Sequence, residues 1–223
     1  MKRFLPFVLI AVVLIAAVGV GWVVLRSSQQ SQNSNKPTPD PATEVRGAEP
    51  PHVRGNANAP VTLEEFGDFQ CGACGSYHPE MKKIEGEYGD KLKVIFRELP
   101  LVTMHPHSLL AAQAAEAAGL QGKFWEMHDK LYENQVTWTP KSDLVPVFVD
   151  YAKQIGLNPD QFMKDLNGEQ VAARIFQDGK RAHSFGLKGT PSFFVNGKEA
   201  TGDQWKPEGL RQMINDALRA AGK

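Results

Sequence analysis

Both cysteines of this 223-residue chain lie in one tetrapeptide, Cys71-Gly72-Ala73-Cys74. With no cysteine left for a staple elsewhere, a disulfide scaffold is excluded and the two thiols form one dedicated redox pair. Two cysteines three apart at a helix start bring their sulfurs within bridging reach. The first faces the unpaired N–H groups and positive end of the helix, which lowers its pKa; the second lies one turn deeper and is shielded. Cys71 is therefore the expected nucleophile, and Cys74 the expected resolver of a mixed disulfide. Zinc is the competing use of a Cys-x-x-Cys pair, but a zinc site needs four ligands and normally a second pair. His78 offers at most a third ligand and is expected to pack or hydrogen-bond locally. Neither a metal nor a cofactor is expected beyond the redox-active disulfide itself.

The elements around the pair can be read from their patterning. Residues 61–66, Val-Thr-Leu-Glu-Glu-Phe, alternate and read as a strand. A helix follows the cysteines to about Tyr88 and is closed by Gly89, and residues 92–98 read as a second strand. Strand, helix, strand is a βαβ unit with parallel pairing. Residues 105–186 carry no strand signal. Helices are expected over 106–119, over 123–134, from a Ser142-Asp143 cap towards Ile155, from Asn158-Pro159 to Gly168, and over 169–185 before Gly186. Strand character returns at 192–195 and 198–201 around Asn196-Gly197, a strong hairpin signal. An amphipathic helix over 207–221 ends the chain. The expected fold class is α/β, a βαβ half and a ββα half around a mixed sheet, separated by an all-helical insertion.

Glu65 lies on the strand leading into the cysteines, and alternation puts it on the face of Val61 and Leu63, opposite Glu64. A carboxyl buried beneath the disulfide would have a raised pKa and could relay the proton of Cys74. The alternative is a solvated glutamate at a strand edge, with Glu64 turned inward instead. Trp125 and Trp138 are expected in the core, and His105-Pro106-His107 at a helix entry.

Outside the domain, Lys2 and Arg3 precede an uncharged apolar run over 4–25. Roughly 22 residues at about 1.5 Å each reach about 33 Å, enough to cross a bilayer core of about 30 Å. The run outlasts the apolar region of a cleaved signal, so residues 1–26 are expected to be a transmembrane anchor that leaves the rest of the chain outside the cytoplasm. Residues 27–51, rich in Ser, Gln, Asn and Pro, read as a flexible tether, and the folded domain is expected over 52–223. Acidic and basic residues balance at 25 each, which gives no support for nucleic-acid binding.

The run Val-Thr-Leu-Glu-Glu-Phe-Gly-Asp-Phe-Gln-Cys-Gly-Ala-Cys, the later Gly-Thr-Pro-Ser-Phe-Phe-Val-Asn-Gly and the helical insertion together resemble the DsbA-like proteins, thioredoxin-fold disulfide oxidoreductases of bacterial envelopes. The resemblance covers essentially everything from His52 onward. It implies that Pro191, preceded by Thr190, is a cis proline facing the cysteines, and that Glu65 stands where the superfamily often has a buried acid. Gly72-Ala73 departs from the best-known oxidases, because it supplies no imidazole or other donor to the Cys71 thiolate. The leading functional reading is an enzyme that oxidises cysteine pairs in exported proteins, acts as a monomer and is recharged by a membrane redox partner. A disulfide reductase or isomerase is the second reading. A metal-handling or peptide-binding module without redox turnover is the third.

Overall fold

The computed structural model describes residues 45–223. The expected anchor at 1–26 and the tether as far as residue 44 lie outside the described residues. Among the described residues, no helix is long and apolar enough to cross a membrane.

Five strands form one mixed sheet in the order β1-β3-β2-β4-β5. They are β1 (His52–Gly55), β2 (Val61–Gly67), β3 (Leu92–Glu98), β4 (Ser192–Val195) and β5 (Lys198–Glu199). β2 and β3 pair in parallel, with Leu63 opposite Val94 and Glu65 opposite Phe96. Their crossover is helix α1 (Gly72–Tyr88), which opens directly after Cys71 and is closed by Gly89 at φ 48°. β4 runs antiparallel to β2, and β5 returns along β4 through a turn in which Asn196 and Gly197 both have positive φ. That double left-handed turn is what Asn-Gly accommodates at least cost. Asn196 also ties the hairpin to β2, its side-chain oxygen accepting from the Thr62 N–H at 2.7 Å.

The helical insertion comprises α2 (Ser108–Leu120), α3 (Phe124–Glu133), α4 (Gln135–Trp138), α5 (Val145–Gln154), α6 (Pro159–Leu166) and α7 (Glu169–Ser184), and α8 (Pro207–Ala220) closes the chain. Helix α2 is central to it. Ala111, Ala112, Ala114, Ala115, Ala117 and Ala118 are all buried, so small side chains let neighbours close on nearly every side. Trp138 is fully buried and donates its indole N–H to the Leu131 carbonyl, and Phe148 packs edge-on against it. Asn158 caps α6 as expected, its side-chain oxygen accepting from the Gln161 N–H.

Several elements differ from the sequence expectation. α5 begins after Leu144 with Pro146 in its first turn, and neither Ser142 nor Asp143 caps it. β1 and α4 were not anticipated. β2 does not alternate between core and solvent: from Leu63 to Gly67 every residue is buried, because β3 and β4 flank it and helices cover both faces. The stretch over 45–51, expected at the end of the tether, lies against the domain. Ala48 is buried, its N–H donating to Asp178 and its carbonyl accepting from Arg97. The Val45 carbonyl accepts from Arg181. Composition alone could not reveal this, since distant side chains satisfy the backbone of a segment with little apolar surface of its own.

Candidate functional site

Where β2 ends, residues 67–71 turn into α1. Asp68 organises that turn: its carboxylate accepts from the Gln70 N–H at 2.8 Å, from the Leu101 N–H at 2.9 Å and from the His105 ring at 2.8 Å. The Gln70 side chain accepts from the His107 N–H at 2.6 Å. His105 and His107 thus lie just before α2, as a helix entry should, and also pin the loop that carries the cysteines.

Cys71 occupies the N-cap of α1 in extended conformation. No side-chain hydrogen bond caps the helix in this state, which leaves its first N–H groups open towards the sulfur. Once the Cys71 thiol is ionised, the Cys74 thiol, the Thr190 side chain and the N–H groups of Cys74 and Ala73 can all donate to it, which pulls its pKa down to about 5 against the opposing effect of burial. Cys74 moves the other way: burial, its bond to Cys71 and the nearby Glu65 charge all raise its pKa. Both thiols are free, and the Cys71 thiol lies 3.4 Å from the Thr190 carbonyl. Cys71 is not the openly exposed thiol that a helix start suggests, being 8 % exposed against 1 % for Cys74. What separates the two is the donors that face Cys71 together with the deeper burial of Cys74.

The Thr190–Pro191 bond is cis, and the Pro191 carbonyl accepts from the Trp205 indole N–H at 3.0 Å. The Thr190 hydroxyl is buried with no hydrogen-bond partner in this state. Once Cys71 is ionised, that hydroxyl can turn its proton to the sulfur, supplying the donor that Gly72-Ala73 lacks. Glu65 lies on the α1 face of β2. Burial, reinforced by the charge of Glu85, pushes its pKa up to about 8. Glu64, on the opposite face, is equally buried rather than solvated. It accepts from Arg97 at 2.8 Å and from Arg181 at 2.9 Å through both guanidinium nitrogens involved, forming a buried ion cluster.

Sequence reasoning missed Asp68, Trp205 and Gln135 of α4. Asp68 follows a glycine two residues before a backbone N–H that it accepts, a short-range turn signal that could have marked it. Trp205 and Gln135 reach the site from elements far along the chain and left no local signal.

Among the described residues, one group of side chains comes close to the spacing of a metal centre. His78, His128 and Asp129 bring ligand atoms within 4.8 Å of one another. The Asp129 carboxylate, however, already accepts from Arg54 at 2.9 Å and from Lys82 at 2.7 Å. Two fixed cations thus stand where a third would have to enter, and the group is better described as neutral imidazoles and a charge-compensated carboxylate. Burial holds His128 down at about 4. His78 stacks on Tyr132, the local packing expected of it.

The sequence profile of the thioredoxin family matches residues 48–216. The chain belongs to the thioredoxin family. Among solved thioredoxin-fold structures it is similar to BdbD from Bacillus subtilis, with a TM-score of 0.67 and 26 % identity over 76 % of this chain and 93 % of that one. A thioredoxin-like oxidoreductase from Silicibacter pomeroyi aligns with a TM-score of 0.64 and 27 % identity over 76 % and 92 %. The thiol-disulfide exchange protein alpha-DsbA2 from Wolbachia pipientis shares the fold, with a TM-score of 0.62 and 23 % identity over 74 % and 86 %. The DsbA-like resemblance of the motifs therefore extends to the fold, which this thioredoxin-family member shares with thioredoxin-like oxidoreductases. A curated relative is the Na(+)/H(+) antiporter NhaA 1 of Salinispora arenicola, 42 % identical over 167 residues, which are 75 % of this chain and 24 % of that protein. The chain thus spans about a quarter of that relative's length.

Proposed function

We propose that this thioredoxin-family domain is an oxidase that transfers the Cys71–Cys74 disulfide to cysteine pairs of exported proteins. The observation that carries the direction is the acidic Cys71, whose pKa is drawn down to about 5. Stabilising the thiolate stabilises the reduced pair, and a stabilised reduced form makes the disulfide a stronger oxidant.

In the proposed reaction a client thiolate attacks the Cys71 sulfur, forming a mixed disulfide and breaking the Cys71–Cys74 bond. The Cys74 sulfur leaves with the bonding electron pair. Its strongly raised pKa means that it must be protonated as it leaves. Glu65, still protonated at neutral pH, is the donor on that side of the pair. The client's second thiolate then attacks its own sulfur in the mixed disulfide and expels Cys71 as a thiolate, so two electrons pass from client to enzyme. The Thr190 backbone beside Cys71 and the adjoining Pro191 form the client-facing wall. A membrane partner would reoxidise the pair. The apolar run over 4–25 behind Lys2 and Arg3 supports an anchor that places the domain outside the cytoplasm.

The equilibrium of the full chain with reduced and oxidised glutathione tests the direction. The expected position has the protein pair reduced and glutathione oxidised at equal buffering. A pair that glutathione oxidises quantitatively would instead assign the protein to thiol reduction. Failure of Cys71→Ser to abolish oxidation of a reduced model client would remove the enzyme from the pair altogether.

A further inference from the structure

Helix α4 is only four residues long, yet its first residue reaches the cysteines. The Gln135 side-chain amide donates to the Phe69 carbonyl at 2.7 Å and to the Cys71 carbonyl at 2.9 Å. The assignment of the amide follows from the partners: two carbonyls accept only, so the atom between them must be the nitrogen, and both its hydrogens are used. The carbonyls bracket the short segment that sets the direction of the Cys71 side chain. Asp68 and the Gln70–His107 bond hold the segment before the cysteine. On the Cys71 carbonyl, the described partners are the Gly75 N–H of the helix itself and Gln135. Gly75 makes room for this bond, since a Cβ there would stand 2.7 Å from the Gln135 side-chain carbon Cδ and closer still to its oxygen.

We infer that Gln135 is a positioning residue for disulfide exchange, a latch from the helical insertion that fixes the Cys71 backbone so that the sulfur faces the first N–H groups of α1. Rested on Cys71 as the nucleophile, the inference adds what keeps it in place. Without the latch two half-buried carbonyls lose a donor, Cys71 gains freedom about its backbone, and the sulfur leaves the line of the Ala73 and Cys74 N–H groups. The insertion thereby does more than enlarge the domain, for it reaches into the redox centre through one amide.

The test is the pH dependence of Cys71 alkylation in the full chain, read by peptide mapping, for wild type, Gln135→Met, Gly75→Ala and the double variant. Methionine keeps the volume of glutamine and removes its donors. Gly75→Ala keeps Gln135 and pushes its amide away, in a helix position where alanine would otherwise be favourable. Each single variant should raise the midpoint by about one pH unit, so that alkylation at about pH 4, below both midpoints, falls roughly tenfold, and the double variant should go no further than either. An acidic wild-type midpoint that both Gln135→Met and Gly75→Ala leave in place overturns the latch alone. A wild-type midpoint near that of a free thiol, about 8.5, overturns the nucleophile assignment and the latch with it.

Discussion

Cys71 and Cys74 share one helical turn, and within it the direction of the electric field and the depth of burial change together. The outer sulfur stands beside N–H groups and a hydroxyl that can turn to its thiolate; the inner one meets a low-dielectric interior and a carboxyl. Alkylation of the reduced protein should therefore modify Cys71 with a midpoint near pH 5, while Cys74 stays unreactive across the neutral range. Cys74→Ser should accumulate mixed disulfides with clients, detectable on non-reducing gels, because the resolving thiol is gone. Faster labelling of Cys74 than of Cys71 would reverse the assigned roles. Glu65 gives a second test, and its sign can be worked out. In the unfolded chain the carboxyl ionises near 4.5, in the fold at about 8. Below about pH 4.5 both states hold the proton and stability is unaffected. Between the two values only the unfolded chain releases it, so stability falls as pH rises, and the fall stops once the folded group ionises too. Glu65→Gln should thus match wild type near pH 4 and exceed it at pH 8 by on the order of a few kcal/mol in urea unfolding. It should also slow the step through Cys74. Glu98, likewise raised by burial, leaves part of the slope in the variant.

At the scale of elements, the long periodic segments were legible and the short ones were not. α1, α7 and the β4–β5 hairpin carry their own punctuation in Gly89, Gly186 and Asn196-Gly197, so their limits follow from local chemistry. β1 is His-Val-Arg-Gly, with no apolar alternation, and exists as a strand because the edge of β3 offers it a ladder. α4 is too short for a period of 3.6 to register. The two glutamates of β2 show a subtler limit. Alternation placed them on opposite faces, but whether a face is covered depends on elements distant in sequence, and here both are. Glu64 is therefore as deeply buried as Glu65, on its own side of the sheet. Its two guanidinium partners are buried with it, so Arg181→Ala leaves a carboxylate without half its compensation. Such a loss should cost about 3–5 kcal/mol in chemical denaturation. Asn158→Ala, which removes only the cap of α6, should cost about 1 kcal/mol.

For the whole molecule, the boundary of the folded unit lies earlier than composition suggests. A chain beginning at residue 52 keeps every strand and helix of the described residues but strips the Arg97, Asp178 and Arg181 side chains of their bonds to residues 45–48. It should unfold at a lower denaturant concentration than a chain beginning at residue 45, since buried groups left unsatisfied cost roughly 1–3 kcal/mol each. Equal midpoints would show that water replaces those bonds without loss.

The apolar interior is divided, and the division has a consequence for how the fold sets the balance between the dithiol and the disulfide. Cys71 and Cys74 do not belong to the cluster formed by the sheet with α8; they pack into the one shared with Trp138, Phe148 and the alanines of α2. Forming or breaking the bond between the sulfurs therefore acts on the interior of the insertion. By closure of a thermodynamic cycle, the difference in unfolding free energy between the dithiol and disulfide proteins equals the difference in their redox free energy relative to the unstructured peptide. Any substitution inside the insertion that favours one state of the pair must shift the potential by the same amount. Amide hydrogen exchange in α2 and α5, far along the chain from either cysteine, should then report the redox state, with slower exchange in the dithiol form of an oxidising enzyme.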